Sequence, residues 1–188
     1  MIIGSIKENL SLEKRVSITP ETAKNIINLG LKICIENGYA AHIGVEDSEY
    51  KKVGVEIKKS SQEVLEHCDL LLKVNCPSDE EIAKLKQKII LIGIFNPSKN
   101  QNKLKEILKK NINIFSLELL PRITRAQSMD VLSSQSNLAG YRSVVDSIYE
   151  FEKAIPMMMT AAGTVPAAKV LVIGAGVAGL QAIATAKR

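Results

Sequence analysis

The sequence has no tryptophan, an aromatic share of only 4%, and just five arginines among its 25 basic residues. Nucleic-acid-binding domains favour clustered arginines with aromatic side chains between them, and the sequence has no such cluster. The formal charge of +5 comes mainly from lysines that are mixed with glutamates on predicted helix faces. We therefore interpret the charge as a solvated surface, in preference to a polyanion-binding face, and predict no nucleic-acid partner.

Cysteines and long apolar runs are equally scarce. The three cysteines, Cys34, Cys68 and Cys76, are odd in number and lack metal-ligand spacing. We predict that they are small buried side chains in a reducing compartment, and we predict no metal site. No segment approaches the ~18 consecutive apolar residues of a membrane helix. Met1 leads directly into a strand-like run without a charged-then-apolar leader, so we expect a cytoplasmic chain without direct membrane insertion.

Short β-type runs alternate with helical stretches up to about residue 116. Predicted helix starts carry capping residues, namely Thr19 with Pro20, Ser60 with Glu63, and Ser78 with Glu81. The predicted strands are Ile2–Ile6, Leu31–Ile35, Leu70–Val74, Ile89–Ile94 and Ile112–Leu117. Such alternation predicts an α/β fold, with a parallel-sheet domain of the Rossmann or flavodoxin type at the N-terminus.

A polar segment follows, from Pro121 to Ser136. Its sixteen residues include two arginines, one aspartate, two glutamines and four serines. Folding a loop requires few such groups, so their number indicates a surface that holds a polar ligand. The alternative is that these groups only cap the helix that follows, although one or two residues suffice for a cap.

One long helix is predicted next, from about Gln135 to Ile155 and ended by Pro156. Its apolar stripe recurs at helical spacing and consists of Leu138, Tyr141, Val145, Ile148 and Ile155. Residues 157–168 have no clear period. They lead into a further predicted strand, Lys169–Ile173.

The glycine motif Gly174–Gly179 follows that strand and precedes a helix expected to open after Gly179. Gly174 permits a tight turn, Gly176 lets the backbone approach a pyrophosphate, and Gly179 allows close helix–strand packing. This context favours a dinucleotide site over a glycine turn that serves packing alone. The later strands of such a fold, and the acidic residue ~20 positions past the glycines, are missing. We therefore interpret the chain as a fragment.

These motifs resemble the NAD(H)-binding component of proton-translocating transhydrogenase, within the superfamily that also contains the alanine dehydrogenases. The resemblance covers essentially all 188 residues. Besides the polar segment and the glycine motif, it rests on Lys7-Glu8, on residues 13–20 (EKRVSITP) and on residues 69–77 (DLLLKVNCP).

Two residues depart from the dehydrogenase pattern. In alanine dehydrogenases, an arginine matching Arg15 and a lysine at the place of Asn75 bind the keto acid, while a histidine stands at the place of Asn96. Asparagine can neither shuttle a proton near neutral pH nor pair with an anionic substrate. We expect Arg15 to be structural, and likewise His42 in a loop and His67 at a helix end.

The resemblance also implies the site. The residues matching Arg122, Gln127, Asp130 and Ser133 lie beside the nicotinamide, and the first three are predicted to carry catalysis. The pyrophosphate is expected at Gly174, Ala175, Gly176, Val177 and Gly179. Hydride transfer between two nicotinamides needs placement of the rings and no proton shuttle, and an arginine–aspartate pair could hold the loop rigid.

The implied function is Si/Re-specific NAD(P)⁺ transhydrogenation. This component would bind NAD(H), a beta-subunit component would bind NADP(H), and separate membrane segments would translocate protons. A homodimer that is peripheral on the cytoplasmic face of the inner membrane is expected. The predicted division is 1–133 for the first domain, 134–167 for the connecting helix and linker, and 168–188 for the first βα unit of an incomplete Rossmann domain. The alternatives are an alanine dehydrogenase-like oxidoreductase and a non-catalytic, truncated binding module, and the fragment alone is expected to be inactive.

Overall fold

The computed structural model describes residues 1–188. The chain divides into two compact units, Met1–Pro121 and Arg122–Arg188. The first unit is a parallel sheet with helices, and the second consists of two helices with a hairpin between them in the chain.

A six-stranded sheet forms the first unit. Its strands are β1 (Ile2–Ser5), β2 (Lys32–Glu36), β3 (Glu56–Lys58), β4 (Leu70–Asn75), β5 (Ile90–Ile94) and β6 (Asn113–Ser116). All pairs are parallel, in the order β3-β2-β1-β4-β5-β6, so the predicted α/β class is confirmed. The strand order reverses between β1 and β4. In open α/β sheets, ligands bind at such a switch point, outside the carboxyl ends of the strands.

Five helices connect these strands: α1 (Pro20–Asn28), α2 (Asp47–Lys52), α3 (Ser61–His67), α4 (Asp79–Lys84) and α5 (Gln101–Lys109). Two helix starts follow the predicted capping. Thr19 caps α1, with Pro20 at its first position. At α4, Ser78 and Glu81 each accept the other's backbone N–H, which is a complete capping box.

The start of α3 differs from the prediction in one contact. The Ser60 hydroxyl accepts the N–H of Glu63 as expected, at 3.3 Å. The Glu63 carboxylate, however, accepts the N–H of Lys59, at 3.1 Å. The predicted reciprocal pair is therefore half right, because the neighbouring amide satisfies the carboxylate instead.

Two apolar clusters cover the opposite faces of the sheet. Side chains alternate along β2, so Cys34 belongs to one cluster while Ile33 and Ile35 belong to the other. Burial raises the pKa of the Cys34 thiol to about 11 and that of Cys68 to about 12. All three cysteines are free, and the predicted burial is confirmed for these two.

The second unit contains α6 (Val131–Phe151) and α7 (Val177–Lys187). Between them lies an antiparallel hairpin, β7 (Met158–Thr160) with β8 (Gly163–Val165), which was not predicted because residues 157–168 show no period. The long helix begins earlier than Gln135, since Asp130 caps it. It ends before Pro156, at Glu152 in the left-handed conformation (φ 53°).

One further prediction about this unit, the strand Lys169–Ile173, is wrong, and most of the apolar stripe of α6 is exposed. Four members of the apolar stripe, Leu138, Tyr141, Val145 and Ile148, are exposed. The buried residues of α6 are Gly140 and Val144, because α6 packs against α7 through small side chains. Residues 169–173 do not form a strand, since no neighbouring strand is there to pair with their backbone groups. None of the helices combines the length and apolarity needed to cross a bilayer.

Candidate functional site

The turn before α7 depends on two glycines for different reasons. Gly174 has φ +110°, a conformation that side-chain-bearing residues rarely adopt. A Cβ built on Gly179 would lie 2.1 Å from the carbonyl oxygen of Gly174, so only glycine fits at that position. The turn is thus closed tightly on itself, as predicted from the motif.

Neither of these two reasons for glycine applies at Gly176. Its backbone is extended, with φ −77° and ψ −173°, and a Cβ built on it would meet no atom within 4 Å. Each of the other ten glycines has either a positive φ or a Cβ that would approach a neighbour to less than 3.0 Å. Among the eleven glycines, Gly176 is therefore the one for which neither the backbone conformation nor contacts within these residues require glycine.

The helix that follows begins at Val177, with Gly176 as its N-cap, and not after Gly179 as predicted. Its first turn carries no acidic side chain, and no side chain caps it. The amides of a helix's first turn lack intrahelical partners and lie at the positive end of the helix dipole. Ala175 and Val177 are exposed beside this helix start, which leaves the approach to the amides open.

The polar segment folds into a 3-10 helix, Thr124–Met129, followed by the cap of α6. Asp130 Oδ1 accepts the backbone N–H of Ser133 at 3.0 Å, and Asp130 Oδ2 accepts the Ser133 hydroxyl at 2.7 Å. These two hydrogen bonds lower the pKa of Asp130, and the more distant charge of Arg122 lowers it further. Asp130 and Ser133 are therefore brought together, and Asp130 is held as a carboxylate.

Arg122 and Gln127 make no such contacts. Both are exposed, and neither side chain has a hydrogen-bond or ion-pair partner within the chain. The arginine–aspartate pair that could have stiffened the segment is not formed directly, and Arg122 acts on Asp130 only through its more distant charge. The capping alternative thus accounts for Asp130 and Ser133, but it leaves Arg122 and Gln127 unexplained.

At the switch point of the sheet lies a buried ion cluster that the sequence did not predict. Lys73 Nζ is 2.8 Å from a Glu81 carboxylate oxygen and 3.5 Å from one of Glu8, and the Lys73 side chain is 3% exposed. Glu8 also accepts the N–H of Val74 at 2.8 Å. Burial raises the pKa of Glu8, and the positive charge of Lys73 only partly offsets this increase. Two sequence motifs were the available signal for this cluster. Lys7-Glu8 follows β1, and residues 69–75 (DLLLKVN) contain β4.

Arg15 is held by Glu13 at the same edge. Arg15 Nε and one terminal nitrogen donate to the two Glu13 carboxylate oxygens at 2.9 and 2.7 Å, and Asn75 Nδ2 donates to Glu13 at 3.4 Å. The hydrogen bonds from Arg15 lower the pKa of Glu13, and they raise that of Arg15 in turn. The expected structural role of Arg15 fits this pairing.

Comparison with known proteins identifies the family. Residues 4–139 match the model described as "Alanine dehydrogenase/PNT, N-terminal domain", and residues 143–188 match "Alanine dehydrogenase/PNT, C-terminal domain". The chain belongs to the alanine dehydrogenase/PNT family. The predicted membership is therefore confirmed.

The relatives of this family member point to its transhydrogenase branch. The chain is 46% identical to the first-part polypeptide of NAD(P) transhydrogenase subunit alpha of Rickettsia prowazekii, over 100% of this chain and 50% of that protein. It is 45% identical to the same polypeptide of Rhodospirillum rubrum, with the same coverage. The crystal structure of transhydrogenase from Sinorhizobium meliloti matches with a TM-score of 0.94 and 45% identity, over 100% of this chain and 56% of that one. The chain spans about half the length of the curated relatives it matches.

Asn96 and the two histidines of this alanine dehydrogenase/PNT member each take part in hydrogen bonds within the chain. Asn96 is exposed with φ 45°, and its backbone N–H donates to the Glu118 carboxylate. His42 Nε2 contacts the carbonyl of Lys14 at 2.7 Å, and His67 Nδ1 contacts that of Glu63 at 2.8 Å. No group of three or more histidine, cysteine, aspartate or glutamate side chains could hold a metal ion.

Proposed function

We propose that this chain is the NAD(H)-binding part of a transhydrogenase alpha subunit. Hydride would pass between NAD(H) on this component and NADP(H) on a partner component, in the Si/Re-specific reaction coupled to proton translocation. The family, the 46% identity to such a subunit and the glycine turn support the proposal. The alanine dehydrogenase alternative is disfavoured, because Asn75 and Asn96 supply neither a cation nor a proton shuttle.

The main structural support for the proposal comes from Gly176. Neither its backbone conformation nor its contacts within residues 1–188 require glycine, which supports a ligand that approaches the backbone closely at this position. A pyrophosphate suits this helix start, because α7 has no side-chain cap and offers amide donors and a positive dipole end. Gly174, Ala175, Gly176, Val177 and Gly179 are the residues that we propose to form this cradle.

The polar segment is the proposed nicotinamide side of the site. NAD(H), when bound, supplies the ring carbon that gives or takes the hydride. Gln127 has a free side-chain amide that can hold a carboxamide, and Arg122 has a free guanidinium. Because the Ser133 hydroxyl donates its hydrogen bond to Asp130, its lone pairs remain available to accept an N–H from a ligand. Asp130 thus acts by orienting Ser133 and by fixing the start of α6.

Partners and location are proposed from the same relationship. An NADP(H)-binding component and membrane segments would complete the complex, with this component peripheral on the cytoplasmic face of the inner membrane. A homodimer is proposed, and the exposed apolar side chains Leu138, Tyr141 and Val145 along α6 support a protein contact there. The division into 1–133, 134–167 and 168–188 remains part of this proposal.

Residues 1–188 alone are proposed to be inactive. Of the nucleotide fold they contain only the glycine turn and α7, and the segment before the glycines has no strand partner. Phosphate contacts alone should then bind NADH weakly. Submicromolar binding of NADH by these residues would contradict this part of the proposal, in favour of the alternative that the polar segment and turn suffice.

The proposal is tested by a pair of glycine substitutions in the full-length subunit. Gly176→Ala should leave the thermal midpoint of the nucleotide-free protein unchanged, while NADH binding weakens about tenfold or more. Gly179→Ala should lower both the thermal midpoint and the NADH affinity, because its Cβ would clash with the Gly174 carbonyl. Ala184→Ser, on an exposed position of α7, is the neutral control. Parental NADH affinity in Gly176→Ala, measured by nucleotide fluorescence, would reject the proposed cradle.

A further inference from the structure

Helices α6 and α7 approach each other closely at Gly140. A Cβ built on Gly140 would lie 2.2 Å from the carbonyl oxygen of Ala178, 2.9 Å from its carbonyl carbon and 3.0 Å from its Cα. All three atoms are backbone, so no side-chain rotation could make room. One of the two helices would have to move.

Buried residues lie one turn further along each helix from this contact. Val144, one turn further along α6, is buried, and so is Ala182, one turn beyond Ala178 on α7. Such rows of residues four apart are the ridges and grooves along which helices pack. Glycine within a helix is less favourable than alanine, so the helix itself gives no reason for glycine at position 140. The close contact with α7 accounts for the glycine instead.

The contact joins the two parts of the proposed site. Ala178 lies within the glycine motif, between Gly176 and Gly179, while the first turn of α6 carries Ser133 and is capped by Asp130. The rise along α6 from Ser133 to Gly140 is roughly 10 Å at 1.5 Å per residue. A single helix, α6, therefore runs from the proposed nicotinamide side to the residue that contacts the proposed pyrophosphate cradle.

We propose that Gly140 is a positioning residue, which sets the distance between the pyrophosphate cradle at α7 and the nicotinamide-side residues at the start of α6. The inference rests on the function proposed above. A methyl group at position 140 needs ordinary contact distances of roughly 3.4 Å or more, so α7 would move away by about 1 Å. Displacements of that size can reduce a reaction rate by about 100-fold when they misalign reacting groups.

Gly140→Ala in the full-length subunit tests the inference against its simplest rival. If position 140 obeyed helix propensity alone, alanine would raise the thermal midpoint of the nucleotide-free protein. We expect no increase. We also expect faster amide hydrogen exchange at residues 176–179 in the nucleotide-free protein, NADH binding weakened several-fold, and hydride transfer to the NADP(H)-binding component slowed about 10- to 100-fold.

Two control variants separate positioning from stability. Val144→Ala removes packing at the same interface without pushing the helices apart, so it should lower the thermal midpoint but keep the transfer rate within about twofold. Ala139→Ser adds one atom at an exposed neighbour and should change neither. If Gly140→Ala does not fold, Val144→Ile is tested in its place. We expect the same changes in hydrogen exchange, NADH binding and transfer rate, each of smaller magnitude.

The outcomes are distinguishable. A Gly140→Ala subunit that is more stable than the parent and transfers hydride at the parental rate overturns the inference while leaving the proposed function intact. A parental subunit that neither binds NADH nor transfers hydride overturns the proposed function itself. A several-fold loss in NADH binding with a larger loss in transfer rate, confined to the substitution at Gly140 or to Val144→Ile, supports the positioning role.

Discussion

Asp130 accepts two hydrogen bonds from one residue, Ser133: one from its backbone N–H at 3.0 Å and one from its hydroxyl at 2.7 Å. Capping is therefore compatible with the role that we propose for Asp130 and Ser133. The same carboxylate starts α6 and fixes the direction of the Ser133 hydroxyl. A residue used only as a cap would need just the first of these contacts.

The first prediction concerns the pH dependence of this cap. Hydrogen bonds from Ser133 hold the pKa of Asp130 below its ordinary value, which for an unfolded chain is about 3.9. A carboxyl group with a depressed folded pKa stabilises the protein above the unfolded value, and this stability is lost as the pH falls through the folded pKa. We expect the parent to lose more thermal stability than Asp130→Asn on going from about pH 5 to about pH 3. Parallel curves for the two proteins would show that the cap has no such charge dependence.

The second prediction concerns the buried ion cluster at the switch point. Lys73→Met would leave the Glu8 and Glu81 carboxylates facing each other without their cation, and should cost about 3–5 kcal/mol of unfolding free energy. Glu8→Gln should change stability by only about 1 kcal/mol, because glutamine keeps an acceptor for the Val74 N–H while removing a charge that burial disfavours. Urea unfolding of both variants gives the comparison. A larger loss for Glu8→Gln than for Lys73→Met would contradict this description of the cluster.

Local signals in the sequence were sufficient for most of the first unit. Thr19 with Pro20, and Ser78 with Glu81, start their helices by contacts between neighbours in the chain, so the sequence alone could predict them. The short strand Glu56–Lys58 was missed, since three residues carry too little pattern. The Lys73–Glu8 ion pair joins residues 65 positions apart, and only the order of strands in the sheet reveals it.

The second unit was harder to predict because its packing involves small residues. Four members of the apolar stripe of α6 are exposed, whereas its buried residues are Gly140 and Val144. The run Lys169–Ile173 has the composition of a strand, yet a strand exists only where a neighbour pairs with it. At the candidate site, the sequence could identify Arg122, Gln127, Asp130 and Ser133 as unusual, but it could not show that Asp130 is engaged by Ser133 rather than by Arg122.

The third prediction addresses the dehydrogenase alternative. The full-length subunit should not reduce NAD with alanine, because exposed Asn96 cannot act as an acid or base and Asn75 already donates to Glu13. The assay follows NADH absorbance with alanine and NAD at alkaline pH. Steady, alanine-dependent formation of NADH would favour an amino-acid dehydrogenase over a transhydrogenase.

The most direct test of the proposed function is Gln127→Ala in the full-length subunit, mixed with the NADP(H)-binding component. Most of the binding energy for NADH would come from its phosphates and adenosine, whereas the rate depends on ring alignment, where small misplacements can cost about 100-fold. We therefore predict a large loss in the stopped-flow rate of hydride transfer and a much smaller change in the NADH dissociation constant. Ser128→Ala, on the adjacent exposed residue, should be nearly silent. If Gln127→Ala transfers hydride at the parental rate, the polar segment is not where the reaction takes place, and the central claim is wrong.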